Sequence, residues 1–276
     1  MIKDIVVNLS VGGSRDAAAP YAVSVADAFG AHLAAVAFAY EAVIPGSVMG
    51  GMSAEVIDAS RSANQKAAKA AVERLDGSAK RSGISFESRV FDATLVAASD
   101  LFGRIARRFD LSIVGQAEPD KLAGEDLIIE AALFQSGRPV VVVPYVHKAP
   151  FKADRIMACW DGSRIAARAI GDAAPFLARA KTVDVVIVAT DRGKKDEIPG
   201  ADMGQHLARH GASVDVKRLV AGDTDVPNTL LSYAADSGAD LMVMGGYGHS
   251  RLREFILGGT TRAILQSMTL PVLMSH

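Results

Sequence analysis

The stretch Leu241–Gly248, which reads LMVMGGYG, decides the fold of this chain. Its apolar first half is typical of a buried parallel strand, because a strand covered on both faces shows no alternation of polar and apolar residues. Its glycines begin a turn. A second cluster, Gly258-Gly259-Thr260-Thr261, follows after nine residues and leads into a helical pattern. This order of strand, turn and helix predicts an α/β protein with a parallel sheet.

We interpret the two glycine clusters as a phosphate cradle. Glycine at Gly245 and Gly248 permits a positive φ and a close approach of backbone N–H groups to a ligand. Amides at the beginning of the following helix, together with its dipole, would point at the same anion. The spacing fits neither a Walker A loop nor the GxGxxG dinucleotide motif. Flexible connecting turns are the alternative interpretation.

The chain contains two copies of one pattern, in which short apolar runs alternate with alanine-rich helical stretches. The corresponding segments are 5–10 and 156–161, 109–115 and 239–245, and 138–143 and 270–274. A long helical pattern at 53–81 corresponds to a short one at 199–210. The sequence therefore predicts two tandem, doubly wound parallel-sheet domains, 1–150 and 151–276, with Rossmann-like topology.

Ligands of doubly wound sheets bind outside the carboxyl ends of the strands, where the strand order reverses. In the second copy the glycine loop follows the fourth strand, and Asp161 ends the first. If these two strands are neighbours, the loop and the aspartate address one pocket.

Composition excludes several classes of protein. The 276 residues are 50% hydrophobic and 22% charged, with a formal net charge of −1, so no broad basic field for nucleic acid exists. No apolar run is long enough to span a membrane, and the N-terminus lacks the apolar core of a signal peptide. Cys159 is the single cysteine, which excludes an internal disulfide and predicts a buried, inert thiol. We expect a cytoplasmic protein.

The pattern resembles the universal stress protein family in its tandem two-domain form, over nearly the whole chain. The strongest similarity is MGGYGHSRLREFILGG, residues 244–259, which is similar to that family's Gly-x2-Gly-x9-Gly-Ser/Thr nucleotide loop. The resemblance implies an adenine nucleotide hydrolase-like fold and a site for ATP, with or without Mg²⁺. The residues that it implies for the site are Asp161, Ala189, Met244, Gly245, Gly246, Gly248, Gly258, Gly259, Thr260 and Thr261.

Several of these assignments have alternatives. Asp161 accepts a hydrogen bond from adenine or ribose, or it only caps the helix that follows. Gly259 stands where the family has Ser or Thr, so Thr260 or Thr261 would supply the missing hydroxyl donor. His249 would donate to the γ-phosphate or position a water molecule, or it is a solvated loop histidine.

The first copy lacks the cradle. Glu118 replaces the second loop glycine, Asp120 and Glu125 add negative charge, and Ser10 stands in place of the aspartate. Because these carboxylates repel phosphates, we expect a structural domain there, with another ligand as the alternative.

A second constellation is Asp202, His206 and His210, which fall on one face of a helix. Their spacing suits a zinc site, and the alternative, which we favour, is a polar solvent-facing surface.

Two functions compete. One is a nucleotide-dependent sensor or regulator that presents different surfaces to an unknown partner protein, and the other is a slow Mg²⁺-dependent ATPase. An interaction scaffold without nucleotide is a third possibility. The sequence places no catalytic residue firmly. The terminal apolar strands of the two copies are expected to pair, within the chain as a pseudo-dimer or between chains as a homodimer.

Overall fold

The computed structural model describes residues 1–11, 16–41, 53–118, 124–189, 200–221, 225–246 and 259–276. The chain divides into two units. The first unit comprises residues 2–138 and 148–150, and the second comprises residues 139–147 and 151–276 together with Met1. The domain boundary expected between residues 150 and 151 stays a prediction.

The first unit alternates strands and helices along the chain. Its strands are β1 (Asp4–Leu9), β2 (His32–Tyr40), β3 (Phe86–Ala93) and β4 (Leu111–Gly115). Its helices are α1 (Ala18–Phe29), α2 (Ala54–Ser82), α3 (Leu95–Ala106) and α4 (Glu125–Gln135). The four strands are parallel and lie in the order β3-β2-β1-β4.

The second unit repeats this arrangement with additional strands. Its strands are β5 (Val140–Val143), β6 (Arg155–Cys159), β7 (Thr182–Ala189), β8 (Val214–Val220), β9 (Leu241–Gly245) and β10 (Val272–Ser275). Its helices are α5 (Arg164–Asp172), α6 (Ala174–Leu177), α7 (Ala201–Arg209), α8 (Val226–Ser237) and α9 (Gly259–Ser267). The strand order is β5-β10-β9-β6-β7-β8, parallel except for β5.

The predicted doubly wound α/β fold is confirmed. The strand order reverses at β1 and β4 in the first unit and at β6 and β9 in the second. In the first unit α1 packs against α2 and α3 packs against α4, as expected when crossovers cover both faces of a parallel sheet. The predicted difference in length also holds, because α2 has 29 residues and α7 has 9.

The pairing expected for the terminal strands is found within the chain. Strand β5 runs antiparallel to β10, with Val142 opposite Val272 and Val140 opposite Met274. All four residues of each strand are buried. Residues 140–143 therefore cover an apolar edge of the second unit that would otherwise invite association.

The same carboxylate interaction ties the first strand of each unit to its neighbour. Asp110 Oδ2 accepts hydrogen bonds from the backbone N–H groups of Lys3 and Asp4, at 2.8 and 3.1 Å. In the second unit Asp240 Oδ2 accepts from Asp154 and Arg155, at 2.8 and 2.9 Å. Each carboxylate satisfies two amides at the beginning of a strand, where the ladder does not yet supply partners.

Short polar side chains determine where several helices begin. Ser163 Oγ accepts from the N–H of Ala166 at 3.1 Å, and Asp225 Oδ1 accepts from Asn228 at 2.9 Å. Each bond satisfies one of the amides that a first helical turn leaves without a partner.

The second unit contains a charged network that the sequence analysis missed. Asp184 in β7 has no exposed surface, and both of its carboxylate oxygens lie 2.8 Å from Arg155 Nη1. Tyr233 on α8 donates its hydroxyl hydrogen to Asp184 Oδ2 at 3.0 Å. Burial, followed by the neighbouring carboxylate, raises the pKa of Tyr233 to about 12. These partners compensate the desolvation of a buried charge and join β6, β7 and α8.

Within the described ranges, no helix combines the length and the apolar character that a membrane-spanning segment requires.

Replacing Asp184 with Ala is expected to lower the free energy of unfolding by about 1–3 kcal/mol, because Tyr233 and the partly buried Arg155 lose their hydrogen-bond partner. Urea unfolding followed by circular dichroism measures the change. The control is Asp154→Ala, which removes an ion pair with Lys181 whose side chains are 57% and 78% exposed. The control should leave the unfolding midpoint close to that of the wild type. Equal effects of the two substitutions would contradict this role for Asp184.

Candidate functional site

Three of the predicted site residues lie at the carboxyl ends of adjacent parallel strands in the second unit. Strand β6 pairs with β7 on one side and with β9 on the other. Ala189 is the last residue of β7, Gly245 is the last residue of β9, and Asp161 follows β6 by two residues. Since the strand order reverses between β6 and β9, the fold brings these residues to the edge where doubly wound sheets bind ligands.

Asp161 is exposed and shapes the turn that leads into α5. Its Oδ1 accepts from the backbone N–H of Ser163 at 2.9 Å, and Gly162 between them has a φ of +78°. The side chain that caps the helix is that of Ser163, whose bond to Ala166 is described above. Asp161 therefore stabilises the turn through Oδ1, while its side chain stays exposed at the carboxyl edge of the sheet.

Gly245 has a different role from the one predicted. It lies in β9 and does not have a positive φ, so the expectation of a left-handed turn at this position is wrong. A Cβ built on Gly245 would lie 2.8 Å from Ile165 Cγ2 and 3.0 Å from the backbone nitrogen of Ala166. Glycine is needed here because the beginning of α5 packs directly on the end of β9.

The backbone of Gly246 is engaged by the end of β10. Its N–H donates to the carbonyl oxygen of Ser275 at 2.9 Å, and its carbonyl oxygen accepts from His276 Nδ1 at 3.0 Å. Gly246 was predicted to offer its amide to a phosphate, and that N–H already has a partner. The sequence analysis did not single out Ser275 and His276. No local pattern in the sequence signals this contact, because Gly246 and Ser275 are far apart along the chain.

The second glycine cluster begins a helix, as expected. Helix α9 starts at Gly259, which is exposed, while Thr260 is half-buried and Thr261 is only 4% exposed. Of the two threonines considered as replacements for the family's hydroxyl, Thr260 is therefore the more accessible. The beginning of a helix is the positive end of its dipole, which makes this end favourable for an anion.

Three predicted site residues, Gly248, His249 and Gly258, lie outside the described residues. Met244 is described and is 5% exposed, in the buried part of β9. Its place before Gly245 matches the sequence interpretation, and its side chain belongs to the core.

Cys159, at the end of β6, is a half-buried residue whose sulfur lies in buried surroundings. Burial, and then the negative charge of Asp161, raise the pKa of this thiol to about 12. A thiol that stays protonated at neutral pH is a poor nucleophile, in agreement with the prediction of an inert cysteine.

The corresponding place in the first unit holds a carboxylate. Ser10, which follows β1, donates its hydroxyl hydrogen to Glu125 Oε1 at 3.1 Å, and Glu125 is the first residue of α4. The negative charge therefore lies at the beginning of the helix that corresponds to α9. It disfavours a phosphate at that place.

The zinc site considered as an alternative for Asp202, His206 and His210 is not formed in the described part of the chain. The ring centroids of His206 and His210 are 4.7 Å apart, whereas Asp202 Oδ1 accepts from the N–H of Met203 at 2.8 Å. All three predicted ligands are exposed. In the part of the chain that the structure describes, no group of three His, Cys, Asp or Glu side chains is placed to hold a metal ion.

Comparison with known sequences identifies the second unit. Residues 152–276 match the sequence profile of the universal stress protein family. A universal stress protein from Synechocystis is 28% identical over 174 residues, which are 60% of this chain and 57% of that relative. The chain thus spans little more than half the length of this relative.

Comparison with solved structures shows the fold of the whole chain. A universal stress protein from Archaeoglobus fulgidus has a TM-score of 0.73 and 15% identity, over 99% of this chain and 97% of that one. A putative universal stress protein from Pseudomonas aeruginosa has a TM-score of 0.61 and 15% identity, over 99% and 93% of the two chains. The match of residues 152–276 confirms the predicted family resemblance for the second unit, and the two solved structures confirm the fold.

Replacing Gly245 with Ala is expected to destabilise the protein by about 1–3 kcal/mol, because the new methyl group meets backbone atoms of α5 that cannot rotate away. The matched control is Gly115→Ala at the end of β4, where an added Cβ has no heavy atom within 4 Å. Thermal unfolding of the two variants measures the difference. Equal melting temperatures would show that α5 does not need a glycine at the end of β9.

The single cysteine allows a direct test of its surroundings. At pH 8 a thiol with a pKa of about 12 is about one part in ten thousand ionised, so native Cys159 should react with Ellman's reagent more than about a hundredfold more slowly than in unfolded protein. Asp161→Asn should accelerate the reaction of the folded protein by removing a negative charge. Rapid labelling of the native wild type would contradict the enclosed position of the sulfur.

Proposed function

Because residues 152–276 belong to the universal stress protein family, we propose that the second unit binds an adenine nucleotide, ATP with Mg²⁺ as its counterion, and acts as a nucleotide-dependent sensor or regulator in a stress response. The observation that carries the proposal is the convergence of Asp161, Ala189 and Gly245 where the strand order reverses. Ligands of doubly wound sheets bind at that place.

Each part of the nucleotide has a suitable neighbour in this proposal. The exposed carboxylate of Asp161 accepts a hydrogen bond from the adenine amine or from a ribose hydroxyl. Ala189 is small and leaves space for the base. The phosphates bind to backbone amides that follow Gly246 and to the first turn of α9, since the N–H of Gly246 donates to Ser275.

The sensor role rests on differential affinity. A nucleotide that binds one of two states of the protein more tightly than the other shifts the population towards that state. A partner protein, or a second copy of the chain, then distinguishes the loaded from the empty form. The proposal includes a cytoplasmic location, where ATP is abundant, and a first unit that serves as a structural partner without a phosphate site.

Gly248→Val is expected to abolish ATP binding while the fold is kept, because a β-branched side chain obstructs the approach of backbone amides to the phosphates. Isothermal titration of the full chain with MgATP measures affinity, and circular dichroism checks the fold. The control is Gly115→Val, at the end of β4 in the first unit, where an added Cβ meets no atom within 4 Å. This control should bind ATP as the wild type does.

Two results would overturn the proposal, and a third would change it. Unchanged ATP affinity of folded Gly248→Val protein would show that the loop is not the phosphate site. The protein would be an interaction scaffold without nucleotide if two findings held together. Nucleotide-free wild type would not bind ATP, and acid extracts of freshly purified protein would contain no adenine compound. If the wild type released phosphate from ATP at steady state and Gly248→Val abolished this release, the function would be that of a slow ATPase and not of a sensor.

A further inference from the structure

Strand β8 forms an exposed edge of the second unit. It is the last strand in the sheet order and, among the described residues, it pairs with β7 alone. Two apolar side chains on it face solvent, since Val216 is 41% exposed and Val220 is 76% exposed. A seven-residue edge with unpaired backbone groups and exposed β-branched side chains can receive another strand.

The pairing with β7 determines which backbone groups of β8 point outwards. The N–H of Val183 donates to the carbonyl oxygen of Ser213 at 2.8 Å. In a parallel pair the residues that bond to the neighbour alternate along the strand, so Asp215, Lys217 and Leu219 continue the ladder towards β7. The N–H and C=O groups that point away from β7 belong to Val214, Val216, Arg218 and Val220.

We propose that this edge pairs with β8 of a second copy of the chain, antiparallel and centred on Val216. In that register the two copies of Val216 exchange N–H···O=C bonds, and Val214 does the same with Arg218 of the second copy. All of these residues point their backbone groups outwards, so the hydrogen-bond pattern of the edge and the two-fold register agree.

Charge selects this register over its neighbours. With Val216 at the centre, Asp215 lies opposite Lys217 of the second copy, twice, in the non-hydrogen-bonded positions where side chains are closest. A register centred on Asp215, Lys217 or Arg218 would place two like charges directly opposite each other. Charge therefore favours the Val216-centred arrangement over these three registers.

The two charged residues are accessible for such a contact. The side chains of Asp215 and Lys217 are 55% and 39% exposed, and Lys217 Nζ lies 3.5 Å from Asp215 Oδ2 in the same strand. They lie on the same face of the strand, so each can exchange its partner for the equivalent residue of a second copy. Beside them, an open groove of 310 Å³ separates β8 from α8, with Leu219, Tyr233 and Asp236 among its lining residues.

Charge exchange tests the proposed pairing with full-length protein. Sedimentation equilibrium from micromolar to millimolar concentration should show self-association of the wild type. Asp215→Lys and Lys217→Asp should each weaken it by about tenfold or more, because each variant places like charges opposite each other. An equimolar mixture of the two variants should associate again, since every lysine then faces an aspartate. Asp76→Lys, which removes an exposed ion pair with Lys80 on α2, is the matched control and should associate as the wild type does.

A wild type that stays monomeric throughout this range would overturn the proposal and leave the edge to a strand of another protein. Association that survives in both β8 variants would place the contact elsewhere. A mixture that stays monomeric would exclude the Val216-centred register. Val216→Pro removes the central outward N–H donor and keeps the hydrogen bonds between β8 and β7. This variant should keep the melting temperature of the wild type and should also lose self-association.

Discussion

The direct contact between the end of β9 and the beginning of α5 is the constraint on which the candidate site depends. Gly245 has no space for a side chain, because Ile165 and the amide of Ala166 occupy the volume that a Cβ would need. The contact holds the first turn of α5, with Asp161 and Ser163 before it, against the strand that leads into the glycine loop. The close packing of helix on strand is what brings a carboxylate and a loop from distant parts of the sequence to one edge of the sheet.

The two units use the same scaffold and differ in charge at the same place. In both, an aspartate before the fourth parallel strand, Asp110 or Asp240, binds the amides that begin the first strand. At the carboxyl edge they differ. The first unit fills the beginning of α4 with the carboxylate of Glu125, held by Ser10, whereas the second begins α9 with an uncharged glycine. Of these two helix ends, that of α9 is the more favourable for an anion.

The two edges of the parallel sheet in the second unit differ in whether another strand covers them. Strand β10 is covered by the antiparallel strand β5, which lies far from it in sequence, so one apolar edge is satisfied within the chain. Strand β8 at the other end has no such cover among the described residues, and it carries charges of both signs between its valines. Polar edges limit indiscriminate pairing, and a pattern of opposite charges restricts pairing to a chosen register.

The sequence by itself determined the fold class, the twofold repeat of the pattern, and the long and short helices. These follow from local periodicity, glycine placement and charge, which neighbouring residues already define. The tertiary structure alone decided the role of Gly245, the engagement of Gly246 by Ser275 and His276, and the burial of Asp184 between Arg155 and Tyr233. Each of these depends on how segments distant in sequence approach one another in space, and no local pattern records that distance.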